Sequence, residues 1–124
     1  MSKLYLKEQF VEKYSHENDK ELETVAMEDA IFVGADAFRG CESLTDAYFG
    51  FDITRISHGA FIDCKSLKDV WFAIIDKDKI VEIAEDAFDG CNQDITFHIF
   101  GTAIDNKYLN SYARRHHFRV VGMI

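Results

Sequence analysis

A chain of 124 residues with no proline, only 7 glycines and a formal charge of −8 offers no flexible linker, and predicts one continuous domain over 1–124. The charge speaks against nucleic-acid binding through phosphate contacts, which needs a clustered positive surface. The apolar stretches run a few residues each where a membrane-spanning helix needs roughly 20, so no membrane insertion is expected. At the N-terminus, Leu6, Phe10 and Tyr14 recur every four residues with Lys7, Glu8, Glu12 and Lys13 between them. That period predicts an amphipathic helix over residues 5–15, part of a helical cap over 1–21. The same stretch carries charges where a signal peptide needs an unbroken apolar run. It therefore predicts a cytoplasmic chain if the sequence is the full natural one, and a secreted or cell-surface chain if a leader has been removed.

A ladder of residues governs the middle of the chain. Leu22, Val25 and Met27 begin it faintly; three full copies come next. The first is Val33, Ala37-Phe38, Cys41, Leu44, Ala47, Phe49. The second is Ile56, Ala60-Phe61, Cys64, Leu67, Val70, Phe72. The third is Ile83, Ala87-Phe88, Cys91, Ile95, Phe97. Self-similarity at this period is the mark of a solenoid. The runs "LTDAYF", "LKDVWF" and "DITFHI" read as short strands, which stacking places about 4.8 Å apart in a parallel sheet. Phe38, Phe61 and Phe88 must point inward, because an exposed column of phenylalanines would be an aggregation patch. Extra residues between Phe72 and Ile83 fall around "IDKDK" and predict a protruding turn. Asp76 and Asp78, interleaved there with Lys77 and Lys79, make a poor cation site. Towards the end, Leu109, Tyr112, Ala113 and His116 share one helical face, and Phe118 to Val121 reads as a closing strand.

The ladder resembles the BspA-like leucine-rich repeats, whose units read I-x-x-x-A-F-x-x-C-x-x-L-x-x-V-x-F, from Val33 to Phe97. The tail from Ile95 to Val121 also resembles the segment that closes such arrays with a strand, a short helix and a final strand. The expected fold is thus an α/β solenoid, a short leucine-rich-repeat stack. It has a parallel β-sheet on one face, the N-terminal helical cap, repeats over 22–99 and a helix-strand cap over 100–124. The resemblance further implies a surface or secreted binding module without enzymatic activity.

Little in the chain asks for chemistry. The three cysteines lie one coil apart, with no C-x-x-C pair for a metal. Stacked positions fall within disulfide range, but three thiols cannot all pair, and small buried thiols fit the slot behind each Phe. His58, His98, His116 and His117 are scattered over different units, and phosphate-binding and hydrolase motifs are missing. No cofactor and no metal is expected. Acidic residues crowd Glu17 to Asp46, while Lys107, Arg114, Arg115 and Arg119 gather near the other end. This polarity suits either a solvated surface or weak head-to-tail self-association.

Strand alternation sends Ala47 and Phe49 inward and turns their neighbours outward. Two outward columns are expected: Thr24, Asp46, Asp69, Asp94, and beside it Ala26, Tyr48, Trp71, Thr96. The third repeat is ambiguous, but either alignment keeps Phe97 in and Thr96 and His98 out. Asp46, Tyr48, Asp69, Trp71, Thr96 and His98 are the candidate binding residues. A Trp beside a Tyr flanked by carboxylates has the composition of an interaction hot spot. The competing reading is that the rings only stack and shield the sheet. The leading expectation is a non-enzymatic module binding a protein partner through this acidic-aromatic face. An acidic inhibitor or effector that occupies a basic groove by mimicking nucleic acid is the alternative, and an enzyme is the remote third.

Overall fold

The computed structural model describes residues 2–92 and 94–123. Each coil has to reverse twice within a few residues, and the reversals fall where the sequence tolerates left-handed backbone. The residue just before each cysteine slot has positive φ: Asn18, Gly40, Asp63 and Gly90. So does the residue two before the Phe slot in the first three coils, Tyr14, Asp36 and Gly59. Glycine and the short Asx side chains are the cheapest residues for that region. The two kinds alternate down the stack. Asn18 Oδ1 lies 2.2 Å from where a Cβ on Gly40 would stand, Asp63 Oδ1 lies 2.1 Å from the same point on Gly90, and Asp36 Oδ1 lies 2.4 Å from it on Gly59. Each Asx side chain thus occupies space that only a glycine in the next coil leaves open.

Between the reversals run the strands. The longer ones are β1 (Ser2–Leu6), β3 (Leu22–Met27), β5 (Asp46–Phe49), β7 (Asp69–Phe72), β9 (Thr96–Phe100) and β10 (Arg119–Met123). They form a six-stranded parallel sheet in the order β1-β3-β5-β7-β9-β10. Two-residue strands make the opposite wall: β2 (Phe10–Val11), β4 (Phe32–Val33), β6 (Arg55–Ile56) and β8 (Glu82–Ile83), in that order and also parallel. The result is a parallel β-solenoid of about five turns.

The core fills the space between the walls. Phe38, Phe61 and Phe88 stack with centroids 5.2 and 5.3 Å apart and planes within 8° and 4°. Burying each contributes roughly 1.5–3 kcal/mol. Behind this column the thiols form a second one. Cys41 Sγ–H donates to the carbonyl of His16 (3.2 Å), Cys64 to that of Phe38 (3.1 Å) and Cys91 to that of Phe61 (3.0 Å), and all three are free. The flanking thiols Cys41 and Cys91, together with burial, push the Cys64 thiol well up. The cysteines therefore tie each coil to the one before it.

The N-terminal helical cap is not present. Residues 2–19 instead form another coil, with β1 and β2 pairing in parallel to β3 and β4. His16 takes the Phe slot and stacks on Phe38 at 5.3 Å and 9°. The four-residue period is misleading because it spans three environments. Leu6 is buried, whereas Phe10 and Tyr14 are both more than half exposed, and the positive φ of Tyr14 is incompatible with a helix. The helix at the other end does form. It is α1 (Lys107–Arg115), with Leu109, Tyr112 and Ala113 buried as their spacing predicts. Asn106, fully buried, caps it by accepting from the N–H groups of Tyr108 and Leu109, and donates Nδ2–H to the carbonyl of Lys79 at 2.9 Å. That bond fastens α1 to the turn at Asp76–Lys79, on either side of which Ile75 and Ile80 are exposed. The helix follows where a fifth short strand would lie, and the Tyr112 hydroxyl donates to the carbonyls of Ala84 and Glu85 just past β8.

Candidate binding face

The register of the large sheet decides which side chains share its outer face. Along one line it aligns Lys3, Thr24, Asp46, Asp69, Thr96 and Arg119; along the next, Tyr5, Ala26, Tyr48, Trp71, His98 and Val121. Asp94 is therefore not in the first column and Thr96 is not in the second; each place belongs to the residue two further on. The misalignment has a simple origin. Phe97 pairs with Val70, and Ile99 with Phe72, so Phe97 holds the middle slot of its strand and not the last. Phe97 is fully buried, and Thr96, between Asp69 and Arg119, is only 8% exposed.

On this face the rings form a continuous stack. Tyr48 and Trp71 lie 5.4 Å apart at 11°, and Trp71 and His98 lie 3.7 Å apart at 10°. The carboxylates beside them are bent onto the rings of the next strand. Trp71 Nε1–H donates to Asp46 Oδ1 at 3.4 Å, and His98 Nε2 lies 2.7 Å from Asp69 Oδ1. Asp46 is held from its other side by the Thr45 hydroxyl at 2.7 Å. Burial, with the negative charges of Asp46 and Asp69, raises the Tyr48 phenol above its ordinary range. Each side chain in this block is thereby fixed by at least one neighbour. Alongside the stack runs a shallow, mostly apolar groove of about 320 Å³, lined by Glu28, Tyr48, Gly50, Trp71, Ala73 and Phe100 among others.

Some of this surface is not evident from the sequence pattern alone. Tyr5 falls in the span expected to be helical, although the alternation in "KLYL" carries the signal of a strand with Leu4 and Leu6 turned one way and Lys3 and Tyr5 the other. On the opposite wall, a column of Phe10, Phe32, Arg55 and Glu82 faces outward, with Arg55 over the Phe32 ring and paired with Glu82 at 2.6 Å. Between β8 and α1 lies a depression of about 510 Å³ whose one carboxylate is that same Glu82. Among the described residues, no group of three His, Cys, Asp or Glu side chains is placed to hold a metal. Nor, among them, is any helix long and apolar enough to cross a membrane.

A parallel solenoid with an Ala-Phe and Cys ladder defines a class, and comparison with family models identifies it. Residues 6–115 match the BspA type leucine-rich repeat region model, and the chain belongs to that family. Leucine-rich repeats of this kind suggest a protein-interaction module and are typically non-enzymatic. Comparison with curated proteins and with solved structures gives no match.

Proposed function

We propose that this protein is a non-enzymatic interaction module that binds a protein partner through the outer face of the large sheet, centred on Tyr48 and Trp71 and framed by Asp46, Asp69 and His98; Thr96, expected to face out, is buried between Asp69 and Arg119 and drops out of the set. The observation that carries the reading is the stack itself. Aromatic side chains held in place by their neighbours lose little conformational entropy on binding, which is what makes a hot spot efficient. Tyr48, 38% exposed, offers the open end of the stack to a partner. The mimicry alternative draws less support, because Asp46 and Asp69 are both turned onto neighbouring rings and away from an incoming basic groove.

The test is capture of partner proteins from the source organism by the wild-type chain and by Trp71→Ala, with both melting curves recorded. Trp71→Ala should abolish capture of specific bands while lowering stability by no more than about 1–1.5 kcal/mol, the scale of an aromatic pair on a surface. Unchanged capture would remove Trp71 from the interface. If capture is instead lost on joint neutralisation of Asp46 and Asp69 but survives Trp71→Ala, the mimicry reading replaces it.

A further inference from the structure

The aromatic column on the outer face has a missing rung. In register order it reads Tyr5, Ala26, Tyr48, Trp71, His98. From Tyr48 to His98 every level carries a planar ring, stacked on the next; at Ala26 there is a methyl group. Tyr5 and Tyr48 stand two strands apart, roughly 9.6 Å at the usual parallel spacing. A planar group midway between them would sit roughly 4.8 Å from each ring, close to the 5.4 Å between Tyr48 and Trp71. The exposures agree with a slot open on both walls. Tyr48 is covered by Trp71 on one face, and Tyr5, with no ring stacked on it among the described residues, is 69% exposed. Tyr5 is near enough to Tyr48 to add, after burial and the charges of Asp46 and Asp69, to the upward shift of its phenol.

The rim narrows the occupant further. Lys3, two residues before Tyr5 on β1, shares its face, and Glu28 lines the groove beside Ala26 and Tyr48, whereas Asp46 is held by Trp71 and the Thr45 hydroxyl and turned away from the gap. One cation and one carboxylate border the gap, so the rim favours neither sign of charge, and the walls are aromatic. We infer that the gap above Ala26 is a slot for one uncharged aromatic side chain of the protein partner, taken between Tyr5 and Tyr48 as the missing rung of the stack. This rests on the reading of the face as a protein interface and adds to it the residue that the partner inserts.

The experiment is an NMR titration of the ring resonances of Tyr5 and Tyr48 with N-acetyl-tryptophanamide, N-acetyl-leucinamide and N-acetyl-argininamide. The tryptophan probe should shift both rings saturably with a Kd on the order of millimolar, and the leucine probe should bind at least about tenfold more weakly. Ala26→Phe, which fills the slot from within, should abolish the shift. Tyr5→Ala, at an exposed site that does not threaten folding, should weaken it to the level of the leucine probe. Equal binding of the leucine or arginine probe, or tryptophan binding that survives Ala26→Phe or Tyr5→Ala, overturns the slot. The two readings fail separately. Partner capture that depends on Trp71 while the titration is blank leaves the interface and removes the slot. A positive titration with capture indifferent to Trp71→Ala leaves a slot for small rings and removes Trp71 from the interface.

Discussion

Gly40 shows how closely neighbouring coils constrain one another. Its φ of +73° suits glycine, and the space its Cβ would fill is taken by the side chain of Asn18. Gly40→Ala thus meets two costs, about 1 kcal/mol for the left-handed backbone and a further displacement of Asn18. We expect a total of about 2–3 kcal/mol in denaturant unfolding. Adding Asn18→Gly should restore the part due to the clash and leave the backbone part. A double variant no more stable than Gly40→Ala alone would show that the contact with Asn18 is incidental.

At the level of elements, the legible parts are those whose burial follows one period throughout. The Ala-Phe and Cys ladder can be read because every member faces the core, and α1 can be read because Leu109, Tyr112 and Ala113 all do. The first coil cannot, since its slots hold Ser15-His16 and Asp19 in place of Ala-Phe and Cys, while Leu6, Phe10 and Tyr14 imitate a helix by accident. The spacing is nevertheless present, with Val11, His16, Asp19, Leu22 and Val25 at the intervals of Val33, Phe38, Cys41, Leu44 and Ala47. The displacement of Thr96 and Asp94 from their expected columns comes from letting the aromatic character of Phe97 outweigh its distance from Cys91. How the outer-face side chains engage one another is legible only as a choice between binding and stacking, because rotamers and ring-to-carboxylate bonds depend on the neighbouring strand.

The closing helix also carries a pH dependence. Arg115 at 2.7 Å, and then His116 at 3.0 Å, hold the Glu85 carboxyl below its usual range. A carboxyl depressed in the folded state binds fewer protons there than in the unfolded chain. Its contribution is therefore present above the ordinary carboxylate range and is lost as the pH falls through the lowered value. The pair is exposed, so the effect is small and screened by salt. Acid titration of the melting temperature should show a shallower acid limb in Glu85→Gln than in the wild type, and the difference should shrink at high salt. Superimposable acid limbs would mean that the clamp contributes nothing.

For the molecule as a whole, stability is built from neighbour-to-neighbour contacts along one axis. Among the described residues, the inner strands β5 and β7 are paired on both sides, whereas β1 is paired only to β3 and the ring of His16 is stacked only on Phe38. At the far end α1 packs against β10 and the last coils, with Tyr112, Phe97 and Phe118 in mutual ring contact. Opening should therefore begin at the first coil. Hydrogen exchange should find the amides of β1 and β2 fastest among the strands and those of β5 and β7 slowest. Uniform protection across all the coils would instead indicate a single cooperative unit.

The alternation of Asx and glycine along the reversals sets how such a chain can grow or shrink. "DAFRGC", "GAFIDC" and "DAFDGC" are three coils by shape but two kinds by fit: the first and third carry Asp and Gly at the same two places, although only Asp36 of the two aspartates has positive φ, and the middle one is their complement. Deleting the middle coil would set Asp86 on Asp36, two carboxylates about one strand spacing apart, and Gly90 on Gly40 with an empty space between them. Excising two consecutive coils would restore every match. By steric fit, the repeating unit is accordingly a pair of coils, twice the period that the Phe and Cys ladder displays.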